Sequence, residues 1–167
     1  MRVLTSLGAL CAAAALTVAA APPAAAALPS QAPLADRNGT TNGCVARAVP
    51  LLVTGAGTAR ASLVIEATLR CEAAAGVRWY SFSGSLFEVV DSGGLRNIYG
   101  PQLLSRAETA EPLDGKPATG VVYPCSTPGM KGTHTYLARW TVKTKTSADD
   151  PNPFVAKIAR KQTVTCA

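Results

Sequence analysis

The chain has 167 residues, and its 16 Lys and Arg against 10 Asp and Glu give a formal net charge of +6. This length suffices for one domain with its own hydrophobic core, and beyond the N-terminal segment no stretch is apolar for long enough to span a bilayer, which excludes a protein with several membrane-spanning helices. The positive charge favours anionic partners such as cell walls, membrane surfaces and polysaccharides, and it equally favours solubility.

The N-terminal segment has the pattern of a secretory signal peptide. Met1 and Arg2 precede an apolar stretch over residues 3–21, and several A-x-A sites follow it. We predict cleavage after Ala27, which leaves a secreted chain whose residues 28–43 form a flexible lead and whose residues 44–167 form a single domain. An uncleaved membrane anchor is the alternative, because the apolar run is almost long enough to cross a bilayer. Cys11 lies inside that run, directly after Leu10, so a lipid-anchored cysteine is not favoured.

Four cysteines follow the leader, and an even number in an oxidising compartment predicts two disulfides. Residues 44–53 and 61–71 read as a hairpin around a Gly-rich turn, and centring that turn places Cys44 opposite Cys71. The register of the C-terminal hairpin places Cys166 a short loop away from Cys125. Of the three possible pairings we therefore predict Cys44 with Cys71 and Cys125 with Cys166. There is no C-x-x-C spacing and only one histidine, so we predict no metal site and no cofactor.

Period-two alternation and turn clusters predict about seven short strands. Besides the first hairpin, we expect one or two strands within residues 77–91. Ser83 and Gly84 form either a tight turn between two strands, which we favour, or a bulge within one longer strand. A weak strand that ends before Pro101 follows. Residues 102–111 fit either two helical turns or a loop, and residues 121–125 a short strand. The fold class that follows is all-β, an antiparallel β-sandwich with two disulfides.

The C-terminal hairpin, residues 133–166, carries the longest alternation in the chain. Its first strand points Tyr136, Ala138, Trp140 and Val142 to one face, and its second strand returns after the turn-rich residues 147–153. Arg160 and Gln162 interrupt the apolar face of the second strand, which predicts a bulge or an edge position there.

One local pattern resembles the tyrosine corner of immunoglobulin domains. Gly132 is followed by Tyr136, which stands two residues before the inward-facing Ala138. True immunoglobulin domains have their second cysteine where this chain has Ala138. The resemblance covers about ten residues and implies an immunoglobulin-like version of the sandwich, without implying a function.

The opposite face of the same hairpin is basic, and it is the most informative feature for function. Rows of cations on adjacent strands suit a repeating anionic ligand such as a teichoic acid, a polysaccharide or lipid headgroups. An alternative is that lysines on an outer strand discourage edge-to-edge association. Nucleic acid is not favoured, because no aromatic residues are interleaved with these cations. The candidate binding residues are Arg139, Lys143, Lys145, Lys157 and Lys161, with Arg160 nearby.

The loop of residues 125–132 offers a different function, that of a protease inhibitor. Such an inhibitor presents an extended, disulfide-braced loop, and Met130 or Lys131 would then fill the specificity pocket of the protease. A plain Pro-Gly turn that joins two strands explains the same residues. His134, the only histidine, suggests a small hydrolase as a third candidate, although no nucleophile motif accompanies it.

The acidic residues give weaker signals. Asp149 and Asp150 could supply oxygens to calcium, but the run lacks the spacing of a calcium loop and fits a solvated turn. Sugar hydrolysis requires two carboxylates that face each other, for which Glu66 and Glu88 are an example of a candidate pair, and no motif supports this pairing. We therefore predict a secreted, non-catalytic binding module that contacts an anionic cell-envelope polymer or an extracellular protein.

Overall fold

The computed structural model describes residues 27–114 and 117–166. This part of the chain contains nine strands, all paired antiparallel, and one short 3-10 helix, which confirms the all-β class. The elements are β1 (Gln31–Ala35), β2 (Thr41–Ala48), β3 (Leu52–Thr54), β4 (Ser62–Cys71), the 3-10 helix (Ala73–Ala75), β5 (Trp79–Val89), β6 (Leu95–Glu108), β7 (Ala118–Pro124), β8 (Gly132–Lys145) and β9 (Phe154–Cys166).

The strands belong to one hydrogen-bonded sheet, and not to the two separate sheets that we expected for a sandwich. The order is β3-β4-β2-β1-β9-β8-β5-β6. β2 and β3 pair with successive parts of one side of β4, and β7 pairs with its other side. The outer strands β6 and β7 approach each other, because the rings of Tyr99 on β6 and Tyr123 on β7 pack edge to face at 5.2 Å. The sheet is therefore curled around the core.

The C-terminal hairpin has the predicted alternation. Tyr136, Ala138, Trp140 and Val142 are buried, and β8 pairs with β9 in one continuous register from Gly132↔Cys166 to Thr144↔Phe154. Of the two predicted alternatives near Gln162, the bulge is absent from this register, and the edge position agrees with the pairing of β1, which contacts β9 at Val155 and not in this half of the strand. The polar side chain is accommodated differently: Gln162 accepts from the backbone N–H of Leu51 at 3.0 Å and donates to its carbonyl at 2.9 Å.

Residues 79–89 form one strand, not the two that we favoured. The register of β5 with β6 shifts between Phe82 and Ser83 and between Gly84 and Leu86, which agrees with the alternative of a bulge within one longer strand. The pair Ser83 and Gly84 looks like a turn in sequence, but β5 runs through it and pairs with β8 along its whole length.

Gly84 is needed for packing, because a Cβ there would lie 2.8 Å from Cζ3 of Trp140 and 2.9 Å from Cδ1 of Leu104. The glycine makes room for the largest residue in the core.

Two further segments are strands where the sequence predicted none. The expected helix or loop at 102–111 is mostly strand, since β6 continues through Pro101 to Glu108. A proline is tolerated there because β6 is an edge strand, paired only with β5. The flexible lead predicted for residues 28–43 contains β1, which pairs with β2 and β9, and the first residues of β2.

Both predicted disulfides are confirmed. Cys44 and Cys71 are opposite each other in the β2–β4 register, and they form one bridge. The second bridge joins Cys125, directly after β7, to Cys166 at the end of β9. Two such bridges within one chain are typical of an oxidising compartment.

The predicted signal peptide, apart from Ala27, lies outside the described residues. Within 27–114 and 117–166, no helix has the length and apolar character that crossing a bilayer requires.

Replacing Gly84 by alanine tests the packing of the core. The added methyl group would overlap Trp140 and Leu104, so we expect Gly84→Ala to lower the free energy of unfolding by about 1–3 kcal/mol. The control is Gly94→Ala in the β5–β6 turn, where a Cβ would come no closer than 3.3 Å to its neighbours. Equal stability of the two variants in urea unfolding would contradict the packing described here.

Candidate binding surface

The cations of the β8–β9 hairpin form a regular series on the outer face of the sheet. Register places Leu137 opposite Lys161, Arg139 opposite Ala159, Thr141 opposite Lys157 and Lys143 opposite Val155. Each of these four successive outward rows therefore carries one cation, alternately from β9 and from β8. We name this set the cation ladder: Lys161, Arg139, Lys157 and Lys143, all exposed.

The three strands around the cation ladder carry no outward carboxylate. On β5, β8 and β9, which the structure describes completely, no outward-facing position holds Asp or Glu. Asp36, directly after β1, lines a cleft together with Lys157, but its carboxylate accepts hydrogen bonds from the backbone N–H groups of Asn38 and Thr40.

Within the described residues, none of the four cations forms an ion pair. Arg139 instead lies over the ring of Phe87 on β5, with 5.1 Å from its guanidinium carbon to the ring centroid. This contact holds the charge against the sheet and leaves its N–H donors facing solvent.

Two of the predicted binding cations are placed differently. Arg160 pairs with Ala138 and so belongs to the opposite, core-side face of β9, where it is half-buried. Lys145 does lie on the outer face, but its ammonium donates to the carbonyl of Ala148 at 3.0 Å and lies 5.1 Å from the ring of Trp79. Both side chains are therefore poor candidates for an outside ligand.

A cleft of about 310 Å³ lies beside the ladder. Its lining includes Ser83, Ser85, Pro101, Arg139 and Lys157. Ser85 on β5 pairs with Arg139 on β8. Ser83 pairs with Thr141, which in turn pairs with Lys157 on β9. Serine hydroxyl groups therefore lie in the same rows as two of the four cations. These serines were not among the predicted binding residues, because the turn that we favoured at Ser83 would have ended the strand that in fact continues beside β8.

The loop of residues 125–132 is held closely against the sheet. The Cys125–Cys166 bridge fixes its start. Three successive backbone carbonyls of the loop then accept hydrogen bonds from side chains. Arg96 donates to the Gly129 carbonyl at 3.2 Å. The Tyr136 hydroxyl donates to the Met130 carbonyl at 3.4 Å, and His134 donates to the Lys131 carbonyl at 2.8 Å. The bond from Tyr136 to a backbone carbonyl a few residues upstream is the contact that a tyrosine corner makes.

Glu88 connects two of these three side chains. Its carboxylate accepts from Nδ1 of His134 at 2.6 Å and forms an ion pair with Arg96. Glu88 is buried, and a buried carboxylate is stable only when it is paired in this way. We name this group the loop clamp: Glu88, Arg96 and His134.

The contacts of the loop do not favour the protease-inhibitor interpretation. Met130 is 0 % exposed, so its side chain cannot enter a protease pocket. Lys131 is exposed, but its carbonyl accepts from His134. The carbonyl of an inhibitory residue must face the nucleophile and the oxyanion hole of the protease.

His134 is also poorly placed as a catalytic base. Nδ1 contacts Glu88, and Nε2 contacts the Lys131 carbonyl. A general base must reach the proton of a substrate, and neither ring nitrogen is available for that. The position of His134 instead explains how the loop is held.

The acidic candidates have structural partners or lie apart. Glu88 belongs to the loop clamp, whereas Glu66 lies on β4 opposite Gly120. The carboxylate of Asp150 accepts from the backbone of Asn152 and from the hydroxyl of Thr146, and the first contact in particular lowers the pKa of Asp150. Across residues 27–114 and 117–166, no three side chains of His, Cys, Asp or Glu are grouped as metal ligands would be.

The loop clamp makes the stability of the protein depend on pH. The Lys131 carbonyl and the Glu88 carboxylate raise the pKa of His134 above its ordinary value of 6.5, although burial opposes them. Both partners are acceptors, so only the protonated imidazole, with two N–H groups, satisfies both. The stabilisation is therefore complete below about pH 6.5, and it is lost as pH rises through the folded-state pKa.

We expect His134→Gln to be less stable than the wild type at pH 5.5, with a difference that shrinks by pH 9. Denaturant unfolding at both pH values measures the difference, and NMR titration of the single histidine gives its pKa directly. A folded-state pKa at or below 6.5, or a difference that grows with pH, would contradict the loop clamp.

Comparison of the chain with protein-family models, with curated proteins and with solved structures finds no match. The candidate surface is therefore defined by the charges, contacts and register of this chain alone.

Proposed function

We propose that the protein is an exported, non-catalytic binding module that contacts an anionic polymer of the cell envelope through the cation ladder. Export is supported by the signal-peptide pattern of residues 1–27 and by the two disulfides. The single observation that carries the binding proposal is the periodic placement of four exposed cations, without ion pairs among the described residues, on strands whose outward positions hold no Asp or Glu.

The spacing of the ladder suits a chain-like ligand. Outward residues on a strand are two positions apart, which is about 7 Å, and neighbouring strands are about 4.8 Å apart. Successive cations of the ladder therefore stand about 8 Å from one another at the backbone, along a line nearly parallel to the strands. An extended polymer with one negative group per short repeat can meet all four charges without bending.

Protection of a sheet edge explains the ladder less well than ligand binding does. Lysines protect edges when they lie on a strand with unpaired backbone groups. Arg139 and Lys143 lie on β8, which is central in the sheet between β5 and β9. Only Lys161, in the half of β9 beyond its contact with β1, fits the protective role.

The proposal predicts that neutralising the ladder weakens binding to polyanions. Each cation close to an anionic surface contributes about 1 kcal/mol, so Lys143→Gln with Lys157→Gln should lower the affinity for inorganic polyphosphate about 30-fold. Fluorescence anisotropy with labelled polyphosphate measures the affinity, and teichoic acid, an acidic polysaccharide and anionic vesicles serve as competitors that rank the natural ligand classes.

The matched control removes the same charge elsewhere. Arg60→Gln with Lys131→Gln deletes two exposed cations that lie outside the ladder, one in the loop before β4 and one in the loop before β8. This variant should bind polyphosphate within about threefold of the wild type, since distant exposed charges are screened by salt. Equal losses in the two double variants would mean that only net charge matters, and the proposal would then be wrong.

A further inference from the structure

A second cationic site lies on the outer face of β2 and β4. Arg47 pairs with Thr68, and Val45 pairs with Arg70, so the two arginines occupy adjacent rows of neighbouring strands. Diagonal positions of this kind are about 7–8 Å apart at Cα, which is within reach of two long side chains that share one ligand. Gln31 on β1 pairs with Arg47 from the other side.

These residues line a cleft. Its volume is about 280 Å³, and its lining consists of Gln31, Val45, Arg47, Thr68 and Arg70. The cleft therefore combines two guanidinium groups, one amide and one hydroxyl above a single apolar side chain. A water molecule has a share of about 30 Å³ in the liquid, so the space holds a group larger than a single water.

Both guanidinium groups are without an internal acceptor. Within the described residues, the ion pairs involve other side chains, and Arg47 and Arg70 are both exposed. Glu66 is the next outward residue of β4 beyond Thr68, yet no ion pair joins it to either arginine. Two like charges placed side by side on a sheet repel each other, and an anion bound between them would remove that repulsion.

We propose that this cleft binds a phosphate or sulfate group. A guanidinium presents a planar fork of donors that matches two oxygens of such a group, and two forks on one anion use its tetrahedral shape. The Thr68 hydroxyl and the Gln31 amide can donate to the remaining oxygens. The site is separate from the cation ladder and does not depend on the proposed function.

The test uses the isotopically labelled protein with both disulfides intact. Inorganic phosphate and sulfate are titrated against chloride at constant ionic strength, and NMR follows the backbone amides of residues 45–48 and 68–70 with the Nε–H groups of arginine. We expect saturable shifts at Arg47 and Arg70. Arg47→Lys keeps the charge but removes the bidentate fork, and we expect it to weaken binding at least about tenfold.

The control is Arg60→Lys, an exposed arginine with the same chemistry outside the cleft, which should leave the affinity unchanged. Non-saturating shifts at all cations, or an affinity that Arg47→Lys does not alter, would overturn the proposal. In the variant with Lys143→Gln and Lys157→Gln, tighter binding of polyphosphate than of phosphate at the amides of residues 45–48 and 68–70 would identify a group on a polymer as the source, and equal binding a free ion. The Lys143→Gln, Lys157→Gln variant should bind phosphate normally, which separates this site from the ladder.

Discussion

The alternation of side chains along β8 is the constraint on which the rest of the structure depends. Tyr136 and Trp140 face the core. Arg139, which lies between them in sequence, and Lys143, which follows them, face solvent. β8 is paired along its length on both sides, with β5 and with β9, so a slip of one residue would move the indole into water and two cations into the core. The burial of the aromatic residues therefore fixes the position of the cations.

The cations of this small domain fall into two groups by their partners. Arg96 is used internally, since it pairs with the buried Glu88 and holds the Gly129 carbonyl. Lys145 is likewise engaged, with the turn that follows its own strand. The ladder cations and the Arg47–Arg70 pair have no such partner among the described residues. Other exposed cations such as Arg60 share this property, and what distinguishes the ladder and the pair is their placement side by side on neighbouring strands, where one anion or polymer can meet several charges.

Local patterns could be predicted from the sequence, and contacts between distant segments could not. The hairpin and both disulfides followed from alternation and register, because the register of a single hairpin places each pair of cysteines close together. The second half of β6, from Pro101 to Glu108, was missed because it belongs to an exposed edge strand, and such a strand has no apolar alternation to detect. Gly84 was misread as a turn, because a glycine that makes room for a tryptophan looks the same in sequence as one that permits a bend.

The candidate site shows the same limit. The ladder residues were identified from their period, whereas Arg160 was placed near them although it points to the other face. The loop clamp was missed entirely. Its members Glu88 and His134 are 46 residues apart, and Arg96 is 33 residues from the carbonyl that it holds. These residues lie on β5, β6 and β8, and β5 is not the hairpin partner of β8 in sequence, so only the register of the folded sheet brings them together.

The most direct measurement is the salt dependence of polyphosphate binding, which counts the cations that a ligand engages. Neutralising Z charges on a flexible polyanion gives a slope of about −0.7 Z in log K against log salt, so the four ladder cations predict a slope near −3. Each single Gln substitution in the ladder should reduce its magnitude by about 0.7. A slope close to zero, or one that ladder substitutions leave unchanged, would contradict the binding role of this face.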